Sequence, residues 1–160
     1  MTPILLLWLL VAIAHDGRER RIRNSLVLVG MALALLALLP GLQPFGLSWS
    51  QALLGGAAGF AGLLCFYALG MMGAGDVKFA AALGLWVGWQ ALLPIWAIAS
   101  VLAGLHSLLL LALQRWPYAP RLALALSGRT AGDGRLTRPI PFAAYLAVAT
   151  LVHMAWRTHG

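Results

Sequence analysis

Residues 55–89 read GGAAGFAGLLCFYALGMMGAGDVKFAAALGLWVGW, and this stretch decides the fold. Two apolar segments flank the motif GAGDVK at residues 73–78, in which Asp76 and Lys78 are the only charged residues of the stretch. A carboxylate costs roughly 2.5–3.5 kcal/mol at the centre of a membrane helix, and less near a helix end. We therefore expect Asp76 at the mouth of a membrane-spanning helix and interpret it as a functional residue.

The composition of the whole chain is that of a membrane protein. Its 160 residues are 62% hydrophobic and 9% charged, and the mean hydropathy is +0.89. A helix needs about 20 apolar residues to cross a bilayer, and fewer where the bilayer thins. The apolar runs lack the period-2 alternation of barrel strands. The sequence predicts a single all-α domain over residues 1–160, a polytopic bundle of about six transmembrane helices: residues 2–18, 25–39, 49–69, 75–89, 91–113 and 140–156.

The positive charge is arranged by topology and does not indicate nucleic-acid binding. The net charge is +7, yet ten of the eleven basic residues fall in segments on one side of the predicted bundle, and Arg157 is the exception. The positive-inside rule makes that side cytoplasmic and places both termini outside. We assign these arginines to topology and to contact with anionic membrane lipids.

The second candidate residue, Asp16, lies at the end of the first apolar run. Thirteen mostly apolar residues cover only about 20 Å at about 1.5 Å per residue, so the helix must continue through Asp16 to the cytoplasmic surface. Asp76 begins the fourth span on the same side, which predicts both carboxylates at one depth. Close carboxylates share a proton, as aspartyl hydrolysis of a peptide requires. The alternative is that Asp76 caps a helix and Asp16 pairs with nearby arginines.

Three motifs resemble those of one known family, the type IV prepilin peptidases. Residues 73–78 (GAGDVK) look like its GxGD motif, residues 15–24 (HDGRERRIRN) look like its first motif, and residues 139–143 (PIPFA) look like the start of its last span. The resemblance implies that Asp16 and Asp76 are the catalytic pair of an aspartic endopeptidase. It also implies a multi-pass protein of the bacterial inner membrane that removes prepilin leaders at the cytoplasmic face.

The resemblance also predicts which activity this chain lacks. Longer members of the family methylate the new N-terminus and carry a cysteine-rich zinc-binding segment, whereas this chain has Cys65 as its single cysteine. It looks like the short, peptidase-only form found with tight-adherence pili, whose substrates are Flp-like prepilins with a basic leader and a hydrophobic helix. We expect no cofactor and no metal, since no polar ligands cluster at usable spacing.

Several residues are expected to support the site. Gly73 and Gly75 would free the backbone beside Asp76 for close approach of a substrate strand or for an unusual φ. Asn24, Lys78 and Pro141 are the supporting residues that the sequence suggests, with Asn24 as the cap of the second helix. Arg23 stands where the family usually has proline, and arginine does not fix φ at the entry to the second helix as proline would.

Two other functions fit parts of the sequence. A catalytically silent scaffold of pilus or secretion assembly would keep the fold, although it would be expected to lose an aspartate. A small proton-coupled transporter would use the aspartates as a relay, although a relay should continue across the bilayer. Two GxxxG pairs, at Gly55 and Gly59 and at Gly84 and Gly88, are expected to pack within the bundle, with a dimer interface or a substrate groove as alternatives.

Overall fold

The computed structural model describes residues 3–19, 22–39, 43–115 and 142–159. These residues form five helices and no strand, which confirms the predicted all-helical class. The helices are α1 Pro3–Glu19, α2 Asn24–Leu38, α3 Trp49–Ala68, α4 Ala74–Arg115 and α5 Phe142–His159.

Two helical stretches are long and apolar enough to cross a membrane by length and composition, Trp49–Ala68 and Ala74–Ala112. Shorter apolar helices cover Pro3–Gly17 and Asn24–Leu38. The number of six spans stays a prediction. The single helix α4 covers the residues for which two spans, 75–89 and 91–113, were expected.

A break at Gly88 divides α4 into two arms, residues 74–87 and 89–115. Gly88 has φ 74° and ψ 169°, a conformation that glycine adopts far more readily than any residue with a Cβ. Along α3, Gly55 lies against Gly84 and Gly88, whereas Gly62 lies against the Trp96 ring of the second arm. The second arm therefore returns alongside α3, and α4 is a helical hairpin.

The first arm of α4 is the centre of the bundle. Every residue from Phe79 to Gly88 is buried, and this segment contains no charged residue. A helix that is apolar on all sides is expected to be buried on all sides. Helices α2, α3 and α5 pack around α4, and α1 packs mainly against α5.

The two GxxxG pairs pack against each other, as expected for contacts within the bundle. A Cβ added at Gly55 would collide with the carbonyl oxygen of Gly84, and one added at Gly59 would collide with that of Ala80. The absence of side chains at these positions lets the backbones of α3 and the first arm of α4 approach closely.

Two buried tryptophans hold α2 in place. The indole Nε1 of Trp8 donates to the carbonyl oxygen of Leu26 at 2.9 Å, and that of Trp86 donates to Gly30 at 3.0 Å. The Trp8 ring lies where a side chain at residue 30 would be, so glycine is required there. A buried indole N–H normally needs such a partner, and the carbonyl groups of α2 provide it.

Helix α3 has clear signals at both ends. It begins with a capping box, in which Ser48 Oγ accepts from the Gln51 N–H at 3.4 Å and the Gln51 side chain accepts from the Ser48 N–H at 3.0 Å. It ends at Ala68, and Gly70 follows shortly after with a φ of +73°, as is common after a helix end. Cys65 is exposed on this helix and is not part of the core.

Candidate active site

Asp16 lies in the last turn of α1 and is directed at the start of α5. Its side chain is 3% exposed, and Oδ2 accepts a hydrogen bond of 2.8 Å from the backbone N–H of Ala144. Ala144 is the third residue of α5, and the first N–H groups of a helix have no partner within it. The partial positive charge of a helix N-terminus also favours an anion at this position.

Asp76 is the third residue of α4 and binds the residue that precedes the helix. Its Oδ2 accepts from the Gly73 N–H at 3.1 Å, while the Gly73 carbonyl accepts from the N–H groups of Asp76 at 3.1 Å and Val77 at 3.3 Å. Asp76 is therefore not the N-cap residue itself. Its carboxylate nevertheless satisfies a backbone donor at the N-terminus of α4, as the acidic member of a capping box does.

The structure brings the aspartate-bearing helix ends to the same end of the bundle. Gly75 lies against Ile22 of the α1–α2 loop, with 3.5–3.6 Å between a Cβ built on the glycine and atoms of Ile22. Lys78 Nζ donates to Asn24 Oδ1 at 3.1 Å, which joins α4 to the first residue of α2. The end of α1 and the starts of α2, α4 and α5 therefore lie at the same end of the bundle.

Comparison with known proteins identifies the family. Residues 3–108 match the sequence profile of the Type IV leader peptidase family. The chain belongs to this family. No solved structure matches the chain at a significant level.

Relatives of this chain carry a double name. This chain is 30% identical over 166 residues to the prepilin leader peptidase/N-methyltransferase of Aeromonas salmonicida strain A449. The match covers 98% of this chain and 49% of that protein. The proteins of the same name from Aeromonas hydrophila and Pseudomonas aeruginosa are 32% identical, over 98% and 96% of this chain and 49% and 48% of theirs. The chain thus spans about half the length of these curated relatives. Membership of the leader peptidase family and the apolar helices fit a protease of the bacterial inner membrane.

The α1–α2 loop has an arginine, Arg23, at the position where the family usually has proline. Arg23 precedes α2 with φ −69° and ψ 138°, and this φ lies in the range that proline imposes. The loop therefore adopts a proline-compatible conformation without proline. The expectation that Asn24 caps α2 is wrong, because Asn24 is already the first helical residue and no side chain at Arg23 caps the helix. Asn24 instead accepts the hydrogen bond from Lys78.

The glycines beside Asp76 have different roles from those expected. Gly75 is helical and is not among the positive-φ glycines, so the expectation of an unusual φ is wrong there. Gly73 supplies both the N–H and the carbonyl that begin α4. Pro141 lies outside the described residues, so its supporting role stays a prediction. The assignment of Asp16 and Asp76 as the catalytic pair stays a prediction as well.

Sequence reasoning missed the partners that the fold supplies to this end of the bundle. The pairing of Tyr145 Oη with His106 Nδ1 joins α5 to the second arm of α4. Neither this pair nor the Ala144 N–H has a local sequence signal. Only the prolines before α5 suggested that a helix N-terminus would begin near residue 141.

A cavity lies at the end of the bundle opposite to the two aspartates. A pocket of about 330 Å³ surrounds the break at Gly88 and is lined by Trp89, Gln90, His153 and Arg157, among others. None of its lining residues is a carboxylate, so it is not the site of aspartyl chemistry. Within the described ranges, no three His, Cys, Asp or Glu side chains group as metal ligands.

Proposed function

We propose that this chain is a membrane-embedded aspartyl endopeptidase that removes the leader of type IV prepilins of the Flp-like kind. The observation that supports it most is that the helix ends carrying Asp16 and Asp76 lie at the same end of the bundle in a member of the leader peptidase family. The relatives are named for the same leader peptidase activity.

The chemistry requires only the two carboxylates and water. One carboxylate, ionised, takes a proton from a water molecule as the water oxygen attacks the carbonyl carbon of the peptide bond. The other carboxylate, protonated, gives its proton to the carbonyl oxygen. Collapse of the tetrahedral intermediate breaks the C–N bond, and the amine of the mature pilin leaves with a proton.

The hydrogen bonds to the aspartates suit this chemistry. Each carboxylate accepts from a backbone N–H at a helix start, which fixes the position of the reacting group at little cost in side-chain freedom. The first aspartate is buried and the second is partly exposed, so a substrate carbonyl would approach from the side of Asp76.

The proposed orientation places this end of the bundle in the cytoplasm. Of the basic residues that the structure describes, Arg23 and Lys78 lie at this end of the bundle. Arg157 lies against Phe45 at the other end. The arrangement agrees with the positive-inside rule.

Replacement of either aspartate tests the proposal. Asp16→Asn and Asp76→Asn should each abolish leader removal when the chain is co-expressed with an Flp-like prepilin, because an amide cannot accept and donate the proton in turn. The measurement is the shift of the pilin band on a gel at equal enzyme level. Asp133→Asn, the same change at an aspartate that lies in sequence between Arg129 and Arg135, should cleave like wild type. Near-normal processing by either Asp16→Asn or Asp76→Asn would exclude the catalytic pair, and a silent scaffold would show no processing even as wild type.

We also propose that this chain cleaves the prepilin without methylating the new N-terminus. Its one cysteine cannot build a cysteine-rich zinc site of the kind seen in the longer family members. Mass spectrometry of pilin matured by this chain alone should therefore show a free N-terminal amine. A gain of one methyl group that needs only this chain and a methyl donor would refute this part and leave the peptidase proposal standing.

A further inference from the structure

The second arm of α4 and the first turn of α5 are joined by two polar side chains in an otherwise apolar region. Tyr145 Oη is hydrogen-bonded to His106 Nδ1, and the two rings pack edge to face with centroids 5.8 Å apart and planes at 67°. Both side chains are partly buried. Because the bond joins two helices that are distant in sequence, it fixes the position of one relative to the other.

The histidine of this pair is costly to keep for packing alone. Its second ring nitrogen, Nε2, is buried and has no hydrogen-bond partner in the described part of the chain. An unsatisfied buried polar atom destabilises the folded state, because the hydrogen bond that it makes to water in the unfolded chain is lost. The neighbouring Ser107, in contrast, satisfies its hydroxyl within its own helix by donating to the Ala103 carbonyl at 2.8 Å. An apolar residue at position 106 would avoid the cost, which favours a functional reason for the histidine.

The pair lies next to the hydrogen bond that Asp16 receives. Tyr145 directly follows Ala144, whose N–H donates to Asp16 Oδ2 at 2.8 Å. The distance and direction of that N–H depend on the height and rotation of the first turn of α5. Tyr145 belongs to that turn, and His106 holds it from α4.

We infer that His106 and Tyr145 are positioning residues for Asp16. They hold the N-terminus of α5 at the place where the Ala144 N–H meets the carboxylate, and neither touches the substrate. The inference rests on the proposed function, in which Asp16 is catalytic. A displacement of about 1 Å in a reacting group costs up to about 100-fold in rate, so loss of the pair should reduce turnover more than binding.

The test compares steady-state cleavage of a purified prepilin by the full chain and its variants in detergent. Tyr145→Phe removes only the hydroxyl, and His106→Ala removes its ring partner; each should lower kcat by roughly tenfold or more while KM stays within about twofold. His106→Asn places an amide group, which can donate or accept, near the position of Nδ1 and should recover most of the kcat lost in His106→Ala. Ser107→Ala is the matched control, because it removes a hydrogen bond within one helix and should leave kcat unchanged.

The outcomes separate this inference from the proposed function. Wild-type protein that cleaves no prepilin would overturn both. If the wild type cleaves and Tyr145→Phe keeps a normal kcat, with or without a change in KM, only the positioning role would be overturned. A double variant Tyr145→Phe/His106→Ala no worse than either single variant supports a pair that acts as a unit, whereas full additivity of the two losses contradicts it. If His106→Ala does not fold, as judged by its melting in detergent, Tyr145→Phe and His106→Asn still decide the question.

Discussion

Each of the two candidate aspartates accepts a hydrogen bond from a backbone N–H at the start of a helix. For Asp16 the donor is Ala144 of α5, and for Asp76 it is Gly73 before α4. A backbone donor at a helix end has little freedom to move, so it orients a carboxylate more strictly than a long side chain would. This arrangement couples the position of each carboxylate to the position of a whole helix.

At the residue scale, the surroundings of Gly75 predict a size limit. A Cβ at this position would lie 3.5 Å from Ile22 Cβ, which is ordinary van der Waals contact, whereas the methyl groups of valine would crowd Ile22. Gly75→Ala should therefore keep most leader-cleaving activity and Gly75→Val should lose most of it, measured at equal protein level.

Cys65→Ala is the control for this pair of variants. Cys65 is exposed and its thiol makes only a long contact of 3.8 Å to the carbonyl of Ala61 in its own helix, so its loss should leave activity unchanged. Equal losses in Gly75→Ala and Gly75→Val would show that any side chain, whatever its size, is excluded beside Asp76.

At the scale of elements, the contact between α3 and the first arm of α4 depends on glycine. Gly59→Ala would place a methyl group on the carbonyl of Ala80, and this overpacking should destabilise the protein by about 1–3 kcal/mol or more. The loss should appear as a lower melting temperature in detergent.

A matched glycine is available in the second arm. Gly104 is helical and has no atom within 4 Å of an added Cβ, so Gly104→Ala should be neutral or stabilise by up to about 1 kcal/mol through helix propensity. If Gly59→Ala melted at the same temperature as the wild type, α3 and the first arm of α4 could move apart without loss of stability. The close contact would then not depend on glycine.

The helices themselves could be predicted from the sequence, because apolar runs and their breaks are local signals. The α1, α2, α3 and α5 segments lie within a few residues of the predicted spans. The contacts of the site could not be predicted in the same way. The pairing of Asp16 with Ala144 joins residues 128 positions apart, and only the packing of α1 on α5 creates it. The contact between Gly75 and Ile22 likewise joins residues far apart in the sequence.

At the scale of the whole molecule, the proposed orientation can be tested by labelling single cysteines in a Cys65→Ala background. Gly17 is exposed beside Asp16 and has open space around it, so Gly17→Cys should react only with a reagent on the cytoplasmic side. Ser50, exposed at the start of α3, should react as cysteine only from outside.

Ser50 is a better outer position for labelling than Gln43. Gln43, in the same α2–α3 connection, is only 8% exposed and would be a poor site for labelling. The reverse labelling pattern would place the aspartates on the outer side and would exclude cytoplasmic removal of leaders.

The reversal at Gly88 bears on how such a chain is synthesised. Residues 74–115 double back on themselves, and no charged residue lies between Lys78 and Arg115. In the predicted topology, in which both arms cross the membrane, a ribosome-bound chain would deliver them to the lipid phase as one hairpin, with no charged loop to translocate across the bilayer. The glycine that shapes the finished bundle would then also simplify its biogenesis.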